Sequence, residues 1–218
     1  MKKLYLTPTL LNSWKFYLNS SASYEENAKN SFINCLNKIQ TDPTPDMIRG
    51  LDFEKDVYEF LDGKLELVEP TVYQVAQVVK DSIFQISLMR KFLSFEDYEI
   101  YIYGIADCIN KNTIYDIKSV KSYDIGKYKG SLQHKIYLSA SNLDVFKYVI
   151  SDGSTVYQEE YNKSPKLELE LREAILDFLN WLKINNIFDI YVKYWDAQEK
   201  IKEMELEWIN KILLKELK

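Results

Sequence analysis

Three strand-like segments in the middle of the chain constrain its fold more than any other feature. Residues 83–93, 99–109 and 113–120 are rich in β-branched and aromatic side chains, which favour strands. Short polar separators at residues 94–97 and 110–112 divide these segments. Because connections this short join antiparallel neighbours, the pattern predicts a three-stranded antiparallel meander.

The segments around this meander add helices and two later strands. Strands are predicted at residues 144–150 and 154–161, on either side of a hairpin turn at 151–154. Helices are predicted from Pro8, near 26–40, at 46–62, 71–80 and 130–141, after Pro165 and at 196–217. This order predicts an α/β fold with a mixed central sheet flanked by helices.

The length of 218 residues is that of one domain, and no linker is long enough to split it. We expect a core at about residues 46–150. N-terminal helices within 1–45 and C-terminal helices within 166–217 would pack around this core. The C-terminal helices carry an apolar stripe that could bind a second copy or a partner protein, but we expect it to cover the sheet.

Charge and cysteine content exclude several classes of protein. With 28 basic and 33 acidic residues, the net charge of −5 argues against a protein that coats nucleic acid nonspecifically. The two cysteines are too few for an iron–sulfur cluster or a disulfide framework, and they fit a reducing, intracellular setting. No signal-peptide pattern and no membrane-spanning apolar stretch is present, so we expect a cytoplasmic protein.

A carboxylate interrupts the most apolar of the predicted strands. Asp107 follows the run Ile100–Ala106, which is apolar on both faces as in a buried central strand. On the next strand, Asp116 and Lys118 lie two residues apart and therefore share a face. A tight hairpin would bring Asp107 close to this pair. The alternatives are a strand end in solvent and an exposed cross-strand salt bridge, whereas a buried carboxylate needs a partner or a cation.

The predicted 46–62 helix carries another acidic residue in an unexpected place. Its predicted core stripe consists of Met47, Leu51, Val57 and Leu61. Glu54 lies at the edge of this stripe rather than opposite it. Taken alone such a residue is usually solvated, and only the acidic pair downstream favours a functional interpretation.

The predicted 130–141 helix contributes Gln133 and Tyr137, which lie four residues apart on one face. His134, the single histidine of the chain, faces away and is expected to be a partly exposed helix residue rather than a base. Lysines concentrate here, at Lys118, Lys121, Lys127, Lys129 and Lys135. This basic patch on an acidic chain is either a solvated loop or a surface that binds phosphates.

These motifs together resemble the PD-(D/E)XK nuclease superfamily, which has the restriction-endonuclease-like fold. Residues 103–107, a short turn and residues 116–118 resemble its core of an acid, a gap and (D/E)-x-K. Residues 50–54 resemble the helix that supplies another acid. Residues 131–137 are similar to the Gln…Tyr helix of RecB-like and phage-type exonucleases. The resemblance covers roughly residues 46–150.

The resemblance implies a Mg²⁺- or Mn²⁺-dependent deoxyribonuclease, since hard oxygen ligands suit these ions. The implied metal ligands are Asp107, Asp116, the backbone carbonyl of Ile117, and Glu54. The implied catalytic residues are Glu54, Asp107, Asp116, Lys118 and Gln133. In this scheme Lys118 orients or deprotonates the attacking water, and Gln133 contacts the scissile phosphate or a water.

The resemblance also implies which side chains contact DNA. These are Lys121, Lys127, Lys129, Lys135 and Tyr137. The sequence departs from the superfamily pattern at Ala106, where a proline is usual. It also lacks the cysteine cluster of the iron–sulfur branches, so no iron–sulfur cluster is expected.

The function that fits these motifs is exonucleolytic cleavage of single- or double-stranded DNA, by a protein of phage or mobile-element type acting in a bacterial or phage-infected cell. The alternative is a non-catalytic nucleic-acid-binding or inhibitor protein that keeps the nuclease scaffold. A plain protein-interaction module, acting through the C-terminal helices, is a third interpretation. The complete set of core polar residues argues against loss of catalysis.

Overall fold

The computed structural model describes residues 1–216, and the side chains of residues 1–206. The strands are β1 (Lys2–Leu6), β2 (Ile83–Phe95), β3 (Tyr98–Asn110), β4 (Thr113–Ser119), β5 (Val145–Ser151) and β6 (Val156–Asn162). The helices are α1 (Pro8–Asn19), α2 (Glu25–Leu36), α3 (Pro45–Leu61), α4 (Pro70–Val79), α5 (Gln133–Ala140), α6 (Pro165–Ile184), α7 (Phe188–Tyr194) and α8 (Ala197–Glu216). The predicted final helix extends to residue 217, which lies outside the described residues.

β3 is the centre of one mixed sheet. β2 pairs antiparallel with β3 along nearly the whole length of β3. β4 pairs antiparallel with the last three residues of β3. These pairings form the meander that the sequence predicts. β5 lies parallel to β4 with α5 in the connection, and β6 returns antiparallel as the predicted hairpin. The fold is therefore α/β with a mixed sheet flanked by helices, as predicted.

The sequence does not predict β1. The regular elements expected within residues 1–45 are helices. A five-residue segment that begins with two lysines is too short and too polar to show a strand period. Tertiary pairing creates the strand instead, because Leu4 and Leu6 are fully buried and align in parallel with Ile100 and Ile102.

β3 and β4 diverge soon after the turn that joins them. Their pairing ends at Cys108 and Tyr115, while β1 covers the same edge of β3 only as far as Ile102. Residues 103–107 of β3 therefore have no strand partner on that edge among the described residues. The divergence leaves a gap in the sheet beside Asp107.

Hydroxyl caps and prolines begin three of the helices where the sequence predicts them. Thr7, Thr44 and Ser164 each accept a hydrogen bond from the backbone amide three residues later. A proline follows each cap at the first helical position, where its missing N–H costs nothing. These caps fix the starts of α1, α3 and α6.

The core stripe predicted for α3 is wrong in its first half. Val57 is fully buried in a cluster with α4, β4 and β5, but Met47 and Leu51 are 56% and 62% exposed. The reason is helix geometry, because Leu51 lies about 120° around the helix axis from Val57. The face that packs on this cluster carries Phe53 and Val57, which lie four residues apart.

The apolar stripe of α6 is buried within the fold. Leu171, Ile175, Phe178 and Leu182 are fully buried in the main core. α7 is a separate short helix that the sequence does not predict, and it adds Phe188 and Tyr191 to the same core. Across residues 1–216, no helix has both the length and the apolar content needed to cross a membrane.

Candidate active site

The gap between β3 and β4 is closed by a side chain instead of a strand. Oδ2 of Asp107 accepts the backbone N–H of Ile117 at 2.8 Å. The N–H and C=O of one residue in a strand point to the same side, so the Ile117 carbonyl also points into this gap. The fold thus places the Asp107 carboxylate and the Ile117 carbonyl at one point of the sheet.

Asp116 is the most buried charged residue of the site, at 1% exposure. Nε2 of Gln133, the first residue of α5, donates to its Oδ1 at 2.5 Å. Nζ of Lys118 lies 2.5 Å from its Oδ2. That second contact is an ion pair, so each oxygen of the buried carboxylate lies against a polar partner, Gln133 or Lys118.

Glu54 lies in the second half of α3. Its Oε1 accepts hydrogen bonds from the Tyr58 hydroxyl at 2.5 Å and from Nε2 of Gln85 at 2.9 Å. Glu54 and Asp107 both line one open cavity of about 390 Å³. Tyr58 and Gln85 therefore hold the Glu54 carboxylate on the cavity wall, beside Asp107.

Burial and mutual repulsion perturb the acidic groups. Burial raises the pKa of Asp107 well above its ordinary value, and the carboxylates of Asp116 and Glu54 raise it further. Burial also raises the pKa of Asp116, against the opposing effect of Lys118. Burial alone would lower the pKa of Lys118, but Asp116 and Asp107 raise it above its ordinary value. The site concentrates more negative charge than one ammonium group balances.

This donor set fits a Mg²⁺-type ion. No three histidine, cysteine or acidic side chains converge on one metal-sized point in the described part of the chain. Mg²⁺ does not need such a cluster, because it keeps several waters and binds through one or two carboxylates. Asp107, Asp116 and the Ile117 carbonyl supply that number of hard oxygen ligands.

Tyr137 lies in the core and not on a DNA-facing surface. It is 5% exposed, and its hydroxyl donates to the carbonyl of Ile105 at 2.8 Å. Its ring lies over Gly104, where an added Cβ would come within 2.0 Å of Cε1. The prediction that Tyr137 contacts nucleic acid is therefore wrong in this conformation. Tyr137 instead attaches α5 to β3, next to Asp107.

The predicted lysine patch divides into two groups. Lys121, Lys127 and Lys129 are exposed on the loop of residues 120–132, between β4 and α5. Lys121 pairs with Asp46 of α3 at 2.8 Å. Lys135 is only 16% exposed and pairs with Glu170 of α6, so it does not belong to the loop surface. A helix turns by about 100° per residue, which places Lys135 on a different face from Gln133.

His134 is buried, contrary to expectation. Its ring is 2% exposed and stacks on Tyr161 of β6 with ring centroids 3.9 Å apart. Burial, and secondarily the charge of Lys135, lowers its pKa to about 4. A lone histidine on a helix gives no sequence signal for this contact, because the stacking partner lies on a distant strand.

Sequence reasoning did not identify Glu159 of β6, which anchors the loop. The buried carboxylate accepts hydrogen bonds from the hydroxyls of Tyr123 and Tyr161, both at 2.5 Å, and from the amide of Gly126 at 3.1 Å. Tyr128 stacks on Tyr148 with centroids 4.5 Å apart. The alternation of β6 could have indicated an inward-facing glutamate, but not its partners in the loop.

Solved structures share this architecture. The "Putative exonuclease" from Eubacterium rectale aligns with a TM-score of 0.51 and 12% identity, over 87% of this chain and 82% of its own. LHK-Exo, the alkaline exonuclease from Laribacter hongkongensis, in complex with dAMP, aligns with a TM-score of 0.50 and 12% identity, over 90% of this chain and 93% of its own. No protein-family model and no curated protein matches the sequence. At this identity the likeness shows the fold alone, so this chain shares the α/β fold of these two structures, in agreement with the fold that the sequence resemblance implies.

Proposed function

We propose that this protein is a Mg²⁺- or Mn²⁺-dependent deoxyribonuclease that removes nucleotides from DNA ends. The observation that carries the proposal is the buried Asp116, which joins Lys118 of its own strand to Gln133 of α5. Asp107 lies beside it through the amide of Ile117. The exonuclease structures that share this fold also support a nuclease function.

We propose that Asp107, Asp116 and the Ile117 carbonyl hold the cation, with Glu54 acting directly or through a water. When bound, the ion supplies a water of lowered pKa and neutralises charge on the phosphate. Lys118, which is paired with Asp116, orients the attacking water and stabilises the negative charge that develops on the phosphorus oxygens. Gln133 holds Asp116 and faces the scissile phosphate.

We propose that the loop of residues 120–132 binds the DNA backbone through Lys121, Lys127 and Lys129. These side chains are exposed, and the loop begins and ends at the proposed catalytic residues Lys118 and Gln133. Phosphate contacts of this kind position the substrate without reading its sequence. Tyr137 and Lys135 support α5 from within the fold and do not contact the substrate.

Degradation assays on linear single-stranded, duplex and nicked DNA test this proposal. The wild type should release nucleotides with Mg²⁺ or Mn²⁺ and stop when EDTA is added. Lys118→Ala and Asp116→Asn should each lower the rate by about a thousandfold, the scale of losing a group that stabilises transition-state charge. Circular dichroism and thermal unfolding show whether the variants stay folded.

The matched control is Lys166→Ala, because Lys166 is an exposed lysine of α6 away from the site, with a side chain 86% exposed. It should digest DNA at the wild-type rate. A wild type that binds DNA but leaves all three substrates intact would instead favour a binding or inhibitor protein built on the nuclease scaffold.

A further inference from the structure

Gln85 has a backbone conformation that is unusual for its place in β2. Six non-glycine residues have a positive φ within residues 1–216, and five of them lie in turns between elements. Gln85 alone lies inside a strand, with φ +52°. The left-handed region costs free energy for any residue with a Cβ, because that atom approaches the backbone closely. Such a conformation persists only where the surrounding contacts require it, so the contacts of Gln85 indicate its role.

The left-handed backbone turns the Gln85 side chain toward α3. Phe84 already points to this face of the sheet, since its ring lies 4.9 Å from that of Tyr58 in α3. Successive side chains of a regular strand point to opposite faces, so the residue after Phe84 would point away from α3. Gln85 instead reaches the same tyrosine, because its Nε2 donates to the Tyr58 hydroxyl at 3.2 Å. The irregularity therefore re-aims the amide to the face that carries α3.

This change of direction occurs across from Asp107. The register of β2 and β3 puts Gln85 opposite Asp107. Between residues 83 and 91, all of which the structure describes, Gln85 is the one residue of β2 without a partner in this ladder. The Tyr58 hydroxyl, which accepts from Gln85, also lies 3.5 Å from the carbonyl oxygen of Asp107. The break in the strand thus lies directly beside the acidic site.

The amide of Gln85 ends at the Glu54 carboxylate. Nε2 of Gln85 donates to Oε1 of Glu54 at 2.9 Å, and the Tyr58 hydroxyl donates to the same oxygen at 2.5 Å. Both donors engage Oε1, and Oε2 makes no hydrogen bond or ion pair among the described residues. One oxygen therefore fixes the carboxylate, and the other stays available to a cation or to a water bound to it.

We infer that Gln85 is a positioning residue for the cation site and that it acts through Glu54. This inference rests on the proposed function, in which Glu54 binds the cation directly or through a water. The irregular backbone of β2 directs the amide to Glu54, and the amide sets the orientation of that carboxylate. Hydrogen-bond partners that orient a metal ligand typically contribute 10–100-fold in metal affinity.

Mn²⁺ binding in the absence of DNA tests this role, with free Mn²⁺ followed by electron paramagnetic resonance. Gln85→Ala should raise the dissociation constant for Mn²⁺ at least about tenfold, because Glu54 loses a donor that orients it. The matched control is Ser94→Ala, because Ser94 is an exposed residue of β2 that pairs regularly with Glu99. It should bind Mn²⁺ like the wild type. A Gln85→Ala variant with wild-type affinity would overturn the inference.

A double-mutant cycle separates positioning through Glu54 from a general disturbance of β2. Glu54→Gln should itself weaken Mn²⁺ binding. Adding Gln85→Ala to that variant should change the affinity by less than about twofold, because the amide then has no carboxylate to orient. Losses that multiply in the double variant would show that Gln85 acts by another route.

Urea unfolding tests the backbone part of the inference. Gln85→Gly and Gln85→Ala both remove the amide, but only glycine adopts a positive φ freely. The glycine variant should therefore unfold at the higher urea concentration. At Ser94 the order should be reversed, since glycine weakens a regular strand. The same order at both positions would mean that Gln85 does not have a left-handed conformation in solution.

Failure of the proposed function would give a different result. In that case the wild type binds Mn²⁺ but leaves every DNA substrate intact, and the effect of Gln85→Ala on Mn²⁺ affinity persists. A wild type that digests DNA and a Gln85→Ala variant with unchanged Mn²⁺ affinity would overturn the positioning role alone. A wild type that binds no Mn²⁺ would overturn both.

Discussion

Gly104 is a position in β3 where the fold leaves no room for a side chain. Gly104→Ala should destabilise the protein by about 1–3 kcal/mol, because the new methyl group would overlap the Tyr137 ring and force it off its contact with Ile105. Urea unfolding measures the loss. Gly50→Ala is the matched control, because Gly50 lies in α3 with open space around its Cα. It should stabilise α3 by roughly 0.5–1 kcal/mol through helix propensity, and a similar loss at both glycines would contradict the proposed overlap.

His134 should make the stability of the protein depend on pH. Burial, then Lys135, lowers its pKa to about 4, while Glu159 and Glu170 oppose this shift. The unfolded chain binds the proton more readily, so the neutral ring stabilises the fold above the ordinary pKa of about 6.5. This contribution to the free energy of unfolding is lost as the pH falls from about 6.5 to about 4, and it amounts to roughly 3 kcal/mol over that range.

Chemical unfolding across this range compares the wild type with His134→Phe. Phenylalanine keeps an aromatic ring against Tyr161 but carries no proton-binding nitrogen. The variant should show a flatter loss of stability between these two pH values, since the remaining slope comes from carboxylates alone. Parallel curves for the two proteins would show that His134 does not titrate in this way.

At the scale of elements, Glu159 decides whether the loop of residues 120–132 is ordered. Glu159→Ala removes three hydrogen bonds to the loop and to β6. Hydrogen bonds to a charged group contribute roughly 1.5–3 kcal/mol, so local opening and tryptic cleavage after the loop lysines should accelerate at least about tenfold. Mass spectrometry of a short trypsin digest locates the cuts.

Glu160→Ala is the matched control for this prediction. Glu160 is the next residue of β6, faces the other side and pairs with half-buried Lys147 at 3.1 Å. Its loss should leave cleavage in the loop unchanged. Equal acceleration in both variants would mean that β6 as a whole, and not the Glu159 carboxylate, holds the loop.

For the whole molecule, the net charge of −5 means that the proposed DNA binding must rely on a local basic surface. If Lys121, Lys127 and Lys129 supply the phosphate contacts, the logarithm of the association constant for duplex DNA should fall with log salt at a slope of about −3. Fluorescence anisotropy with Lys118→Ala and Mg²⁺ measures this slope. Lys127→Ala should reduce it by about 1, and Lys166→Ala should not change it. A much steeper slope would require phosphate contacts well beyond this loop.

The sequence by itself determined the meander, the helix starts and the acidic motif. Strand propensity, capping residues and turn residues act over a few neighbours, and Asp107 stands out because its apolar strand gives a carboxylate no other purpose. The set formed by Asp107, Asp116, Lys118 and Gln133 could be proposed for the same reason. These residues lie on β3, β4 and α5, and the order of these elements along the chain can be predicted from the sequence.

Only the tertiary structure decided which side chains face the cleft. β1, the burial of His134 and Tyr137, and the anchoring of the loop by Glu159 depend on contacts between residues far apart in sequence. The exposure of Met47 and Leu51 depends on which face of α3 packs on the core, and that face carries Phe53 and Val57. Periodicity tells which residues share a face of a helix, but only packing decides what that face contacts. For this reason Leu51, which the sequence assigns to the core, lies instead beside the proposed active site.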